Sequence, residues 1–492
     1  MPAMTHLINP PPVLLPPKMP LHLSNFLPLL FLVLLHLWLH YRQPLPYMDE
    51  LFHIPQAQAF CRSLRVKTLP AYDPAITTLP GLYLPPAALH FFTSGRIPCS
   101  PRVLRITSLL AAALALPLLS SLLTALRARA RRAARPDPSH AVAIWLHPVA
   151  LFYAQLFYTD PLALLALLLA HLYALRAAHL RAASFAFFAA LTRQTNIVWH
   201  FYLAADAAIP LLVSRCTQNK PLYTSVRILL PLLWPHALTA CVYLTFLVLN
   251  AGPALGDKAH HAPTAHWAML PYFLGFHAAS YLPFQLLEPR ELVAQATILR
   301  RSPALRAGAL SVCAVLAAMI VATGDHVHPF TLADNRHFVF YVYRKWLLRA
   351  PWRKLALLPL YVWGAIGPVL ELEMRRRGDG GVEGQVRDEG EAMRTFYVGE
   401  YVSDALLVLC AAASLVPSPL LEPRYFVVAS TLWSMRRMAR RAADFPAWGM
   451  CGVAAALAVV NVGLVYVFAE MPFERPVDAH MPNDSSPGRF MF

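Results

Sequence analysis

Apolar runs recur along the chain, most of them near the ~20 residues that carry a helix across a hydrocarbon core. They fall at 21–40, 104–126, 141–158, 162–175, 184–213, 228–249, 267–287, 307–323, 338–348, 355–370, 402–416, 425–433 and 448–468, and the run at 184–213 is long enough for two helices. The pattern predicts an all-α, multi-span integral membrane protein with about 11–14 helices. Several runs are short or interrupted, and the chain carries 45 prolines. Backbone broken at membrane depth is tolerated where protein or a wet cavity satisfies it, so a cavity inside the bundle is expected.

Composition sharpens this. Of 492 residues, 57% are hydrophobic and 14% charged, and the mean hydropathy is +0.47. Water-soluble domains run nearer half apolar and a quarter charged. The run at 21–40 resembles a secretory signal, but its leader is long and Pro-rich and no small-x-small cleavage site follows, so it reads as a retained first span. The organisation is then a Pro-rich tail (1–20), one multi-span domain (21–470) and a C-terminal tail (471–492). Within the domain, "RRRGDGGVEGQVRDEGEAMR" at 375–394 reads as a flexible surface loop without chemistry. No repeat at a fixed period is visible, which weakens a rocking transporter.

The formal net charge of +16 gathers in "RARARRAARP" from Arg127 and "RRMARR" from Arg436. Such runs read as cytoplasmic topology signals rather than nucleic-acid contacts. The loop at 41–103 would then face away from the cytosol. With the basic stretches at 375–377 and 436–441 both cytoplasmic, Arg424 and the C-terminal tail fall on the same side as that loop. The tail holds one sequon, Asn483-Asp484-Ser485. The seven cysteines form no CxxC pair; Cys61 and Cys99 share the first loop, where a disulfide is open.

Polar residues cluster at the ends of the apolar runs, and ionisable groups at membrane depth are costly enough to imply one assembled site. "YMDELFHIPQAQAFC" offers the adjacent carboxylates Asp49 and Glu50 with His53, Gln56 and Gln58. "YDPAITTLPGLY" adds Thr77 and Thr78, "YTDP" follows at Tyr158, and "LTRQTN" adds Arg193, Gln194, Thr195 and Asn196. "GDKAHH" holds Lys258, "HPFTLADNRHFVFYVYRK" holds Asp334, Asn335, Arg336 and His337, and "LLEPRYF" holds Arg424. A carboxylate just beyond a span can act as a general base or simply cap a helix. The cations suit a phosphate, though each can equally form a structural ion pair. His260, His261 and His266 near Asp257, and His326 and His328 near Asp325, lack metal-site spacing, so neither metal nor cofactor is expected.

Taken in order, "YMDELFHIPQAQAFC", "YDPAITTLPGLY", "RQTNIVW", "GDKAHH", "HPFTLADNRHFVFYVYRK" and the closing "RFMF" resemble the dolichyl-phosphate-glucose-dependent alpha-1,2-glucosyltransferase family of the endoplasmic reticulum, from about Tyr47 to Phe492. The resemblance implies a GT-C-type glycosyltransferase fold whose lumenal first loop carries the catalytic acid. It implies transfer of glucose, with inversion, from dolichyl phosphate glucose to the diglucosylated lipid-linked oligosaccharide. Asp49 is the expected base, with Glu50 as alternate. Arg336 leads the expected contacts to the donor phosphate, joined by His337, Lys258, Arg193 and Arg424. His53, Gln56, Gln58, Gln194, Asn196, Asp334 and Asn335 are the expected sugar-binding side chains. A dolichyl-phosphate-mannose-dependent mannosyltransferase of the same architecture is the nearest rival, and a transporter or channel-associated protein the more distant one.

Overall fold

The computed structural model describes residues 23–129, 137–258, 261–287, 289–323, 331, 334–350, 352–379, 387–441, 447–474 and 487–492. Within them the chain is helical: α1 (Leu23–Arg42), α2 (Glu50–Val66), α3 (Leu84–Phe92), α4 (Pro101–Arg129), α5 (Pro138–Trp145), α6 (Pro148–Tyr153), α7 (Thr159–Leu175), α8 (His179–Thr192), α9 (Asn196–Thr217), α10 (Leu222–Asn250), α11 (Met269–Leu286), α12 (Pro289–Arg301), α13 (Pro303–Thr323), α14 (Phe338–Lys345), α15 (Trp352–Ala356), α16 (Leu358–Asp379), α17 (Arg387–Leu415), α18 (Val427–Arg441) and α19 (Ala447–Glu470). Strand pairing among the described residues is confined to two isolated bridges.

Among the described residues seven helical stretches are long and apolar enough to cross a membrane, and the shorter apolar helices Phe26–Arg42 and Thr159–Leu175 join them. Several of the other apolar runs are broken into shorter helices. The run at 141–158 breaks at His147-Pro148 into α5 and α6, since proline cannot continue the ladder. The run at 184–213 divides at Arg193-Gln194-Thr195 into α8 and α9. The run at 338–348 is the eight-residue α14 and one 3-10 turn. The stretch expected as a loop at 375–394 is entered by helix from both sides, α16 to Asp379 and α17 from Arg387. The Pro-rich tail and the sequon at Asn483 lie outside the described residues.

The basic run from Arg436 lies in α18 rather than in a loop. Arg436, Arg437, Arg440 and Arg441 are buried rather than solvated. Arg436 bonds Asp206, Glu400 and Asp404 at 2.9, 2.9 and 2.8 Å. Arg440 bonds Glu400 and Asp404, Arg437 bonds Glu371, and Arg441 pairs with Glu291. Carboxylates from α9, α12, α16 and α17 thus neutralise one face of α18, which is how charges persist inside a bundle. Arg129 joins through Asp206 at 2.6 Å, and Arg127 donates to the Ala439 carbonyl.

α4 links this layer to the opposite end. Arg105 near its start and Arg129 at its end are 24 residues apart, about 36 Å at ~1.5 Å per residue and so about one hydrocarbon thickness. At the Arg105 end the first loop is itself folded. A disulfide joins Cys61 and Cys99, and Ile54, Ala57, Ile76, Leu82, Tyr83, Leu104 and Phe157 form a small core. Gly81 lets the loop lie on the end of α8, where an added Cβ would stand 2.6 Å from the backbone of Leu191 and Thr192. The chain after α10 docks on the same loop through amides of Leu255, Gly256 and Asp257 donating to carbonyls of Thr77, Ile76 and Pro74.

Candidate active site

The two acidic residues between α1 and α2 point in opposite directions. Met48 turns the chain through a left-handed conformation (φ 56°), after which α2 begins at Glu50. Glu50 goes inward and is wholly buried. Its carboxylate accepts from Arg105 Nε at 2.8 Å and Nη2 at 2.5 Å, and from the amides of Tyr47 at 3.0 Å and Phe157 at 2.7 Å. Arg105, equally buried, also donates to the carbonyls of Gln43 and Leu45 at the end of α1. Glu50 is therefore the peg that fixes α2 to α1 and α4, with its lone pairs occupied. It does not share a solvent-facing site with Asp49, as the alternate base would have to.

Asp49 faces outward, its side chain 39% exposed. It makes no side-chain bond that caps α2, so the simple capping role does not describe it. Its Oδ2 accepts from Arg424 Nη1 at 2.9 Å. Burial alone would raise its pKa, but the Arg424 guanidinium outweighs this and, with His53 and His337, holds the carboxyl below its ordinary range. Asp49 is ionised and able to accept a proton.

Arg424 comes from a 3-10 turn, Pro423–Phe426, just ahead of α18. Its Nε bonds Glu422, and its guanidinium lies 5.6, 5.5 and 5.7 Å from the ring centres of Tyr153, Tyr158 and Tyr425. A planar cation can stack on rings while its edge keeps donors for oxygen ligands. Tyr158 also accepts from the Asp49 amide at 3.3 Å. Arg193, 5.0 Å from the Tyr425 ring centre, pairs with Asp160 in the first turn of α7. Arg193 and Arg424 therefore reach one site from chain positions 231 residues apart (424 − 193).

His53 stands one turn of α2 beyond Asp49, with Nδ1 2.7 Å from the Tyr83 hydroxyl; burial lowers its pKa, with Asp49 opposing. The "ADNRH" residues form an adjoining group. Asp334 grips Arg336 through both oxygens, at 2.8 and 2.9 Å, and Asn335 lies between them in the chain. Arg336 is buried, 6.0 Å from the Tyr47 ring centre. Arg336, first among the expected phosphate contacts, is thus drawn towards its own aspartate, and Arg424 is the cation on Asp49. His337 Nδ1 donates to the Phe492 main-chain oxygen at 2.5 Å.

Most of the amides expected to hold sugar hold backbone instead. Gln56 bridges the Ala71 carbonyl and the Asp73 amide, Gln58 donates to the Cys99 carbonyl, Gln194 to the Thr77 carbonyl, and buried Asn196 to the Ala189 carbonyl. Lys258 donates to the Asn250 carbonyl at the end of α10, away from Asp49 in sequence and in its bonding. Among the described residues no three His, Cys, Asp or Glu side chains are grouped to hold a metal. His261 approaches Asp257, whereas His260, Asp325, His326 and His328 lie outside the described residues. Sequence reasoning gave no role to Tyr153, Tyr158, Asp160, Glu422 or Tyr425. The acid in the first turn of the apolar α7 was the available signal.

Beside Asp160 a small apolar pocket lies between α4, α5, α6, α7 and α18, lined by residues such as Ala112, Leu119, Trp145, Leu164 and Val427. The site thus has a charged mouth and a greasy side chamber, the combination that an amphiphile with a charged head requires.

The mouse protein named Dol-P-Glc:Glc(2)Man(9)GlcNAc(2)-PP-Dol alpha-1,2-glucosyltransferase is 27% identical over 91% of this chain and 93% of its own length. Proteins of the same name from human and from Drosophila melanogaster are 25% and 32% identical, covering 91% and 64% of this chain and 93% and 72% of their own. No solved structure matches. The DIE2/ALG10 family matches residues 43–435, a stretch that begins just ahead of Asp49 and closes beyond Arg424, and the chain belongs to that family.

Proposed function

We propose that this protein transfers glucose from dolichyl phosphate glucose to the diglucosylated lipid-linked oligosaccharide, Glc2Man9GlcNAc2-PP-dolichol, at the lumenal face of the endoplasmic reticulum membrane. The bond formed is the terminal alpha-1,2 linkage, made with inversion. The carrying observation is the outward-facing, ionised Asp49 held against Arg424 at the mouth of an apolar bundle; the names of the relatives supply the substrates.

In this reading Asp49 takes the proton from the acceptor 2-hydroxyl as its oxygen attacks the anomeric carbon. The bond from that carbon to the phosphate oxygen breaks, and dolichyl phosphate leaves with the electron pair. The transition state resembles an oxocarbenium ion, so the base is needed as the C–O bond forms. Charge grows on the phosphate, where Arg424 and Arg193 meet it with charge-assisted bonds, and His337 adds to the same edge. A phosphate that takes up Arg424's remaining donors loosens its hold on Asp49, so donor binding itself readies the base. The cavity beside Asp160 suits the first isoprene units. Glu50 serves by fixing the backbone on which Asp49 stands.

The test is purified protein in lipid nanodiscs with synthetic dolichyl phosphate glucose or mannose and the diglucosylated acceptor, with the product linkage determined. Formation of an alpha-1,2-glucosyl product from the glucose donor is expected. Transfer from the mannose donor alone, or from neither, sinks the proposal.

A further inference from the structure

Residues 487–492 return from the end of α19 and insert between the first loop and the "ADNRH" group. Arg489 anchors them. Its buried guanidinium donates to Gln43 Oε1 at 2.8 Å, to the carbonyls of Phe468 and Ala469 at 2.8 and 2.7 Å, and to the Arg42 carbonyl at 3.1 Å. Those carbonyls belong to the last turns of α19 and α1, which lack helical donors, so one side chain caps two helices. The Arg489 amide donates to the Tyr47 hydroxyl at 2.7 Å, two residues from Asp49.

Beyond Arg489 the backbone pairs with the site. The Met491 amide donates to the Arg336 carbonyl and the Phe338 amide donates to the Met491 carbonyl, both at 2.8 Å. The Phe492 main-chain oxygen then accepts from His337 Nδ1 at 2.5 Å and from the Tyr153 hydroxyl at 2.8 Å. That oxygen only accepts, so Nδ1 carries hydrogen and Nε2 is the nitrogen turned towards Asp334, 3.8 Å from Oδ2. Tyr153 in turn stacks on Arg424, which holds Asp49. One main-chain oxygen thereby joins His337 to the Arg424–Asp49 pair.

We propose that residues 488–492 are a strap that positions His337 and Tyr153 around the leaving phosphate, with Arg489 as its positioning residue. This rests on the function proposed above. The strap touches His337 and Tyr153, the second of which flanks Arg424, while the proton-accepting oxygens of Asp49 lie outside its contacts. Releasing it therefore weakens donor binding more than the chemical step, which appears as a raised KM with a smaller change in kcat.

The experiment compares wild type, Arg489→Ala, Arg489→Lys and Tyr153→Phe as full-length proteins in nanodiscs. It measures the donor KM and kcat, the thermal midpoint, and amide exchange over residues 334–340. Arg489→Ala should raise the donor KM about tenfold or more, lower kcat less, and speed exchange in 334–340, and Arg489→Lys should recover part because an ammonium cannot serve four spread acceptors. Tyr153→Phe removes only the hydroxyl and decides the matter should Arg489→Ala fail to fold: a donor KM raised several-fold supports the strap, an unchanged one overturns it. A lowered midpoint with an unaltered donor KM, or unaltered exchange over 334–340, also overturns it. If wild type transfers no glucose, the proposed function fails, and the exchange data alone still decide whether the strap holds the His337 segment.

Discussion

Replacing each of the two neighbouring carboxylates by its amide should separate folding from chemistry. Glu50→Gln puts an NH2 group where one oxygen now receives Arg105 and an amide, so donors face donors. It also leaves the Arg105 guanidinium, 0% exposed, without a counter-charge. Breaking one half of a buried pair costs about 3–5 kcal/mol, a large share of the 5–15 kcal/mol that typically separates folded from unfolded chains. Asp49→Asn loses one charge-assisted bond at a partly exposed site, worth about 1 kcal/mol or less to stability. Its effect on transfer should instead be ~10²–10⁴-fold, or about 2.7–5.4 kcal/mol of barrier at ~1.36 kcal/mol per tenfold. Thermal unfolding in nanodiscs and initial transfer rates at saturating donor and acceptor read the two effects separately. The reasoning is refuted if Glu50→Gln melts with wild type, or if well-folded Asp49→Asn keeps more than about a tenth of the wild-type rate.

Because Arg424 holds the Asp49 carboxyl below its ordinary range, the acid limb of kcat/KM should lie below pH ~4, and any stability from the pair is present above the unfolded value and lost as pH falls through the folded one. Arg424→Met removes the largest charge opposing burial and should move that limb upward; an unmoved limb would remove Asp49 as the titrating base. Arg436→Ala removes the cation shared by Asp206, Glu400 and Asp404, leaving them only Arg129 and Arg440, and should cost up to about 3–5 kcal/mol, seen as a lowered thermal midpoint, whereas a mere topology signal would leave the midpoint unchanged. Replacing Cys61 and Cys99 by serine opens a bridge of sequence separation 38, worth up to about 4 kcal/mol in the chain-entropy limit; unchanged unfolding together with an unchanged mobility on reduction would show the bridge absent.

Long unbroken runs made α1, α4, α10 and α19 legible, because each needs only its own residues to be apolar. α18 was read as ending near Trp433, where the arginines begin, yet it continues to Arg441 because carboxylates on four distant helices receive them. No local pattern announces such partners. The same limit governed the site. Asp49 and Arg424 were legible as isolated charges beside apolar runs, and the structure brings them within 2.9 Å. Gln56, Gln58, Gln194 and Asn196 were read as sugar ligands because an amide suits a hydroxyl, but it suits a backbone carbonyl equally well, and carbonyls occur at every position. Asp49 was expected as the base with Glu50 as alternate; the side each faces is set by Arg105, 55 residues beyond Glu50.

The Cys61–Cys99 bridge ties the architecture of the first loop to the compartment it meets. Disulfides persist where the surroundings are oxidising and are rare where thiols are kept reduced. A chain inserted upside down would present these cysteines to the reducing side, and the loop that carries Asp49 would lack its staple. Orientation error and loss of this staple would therefore coincide.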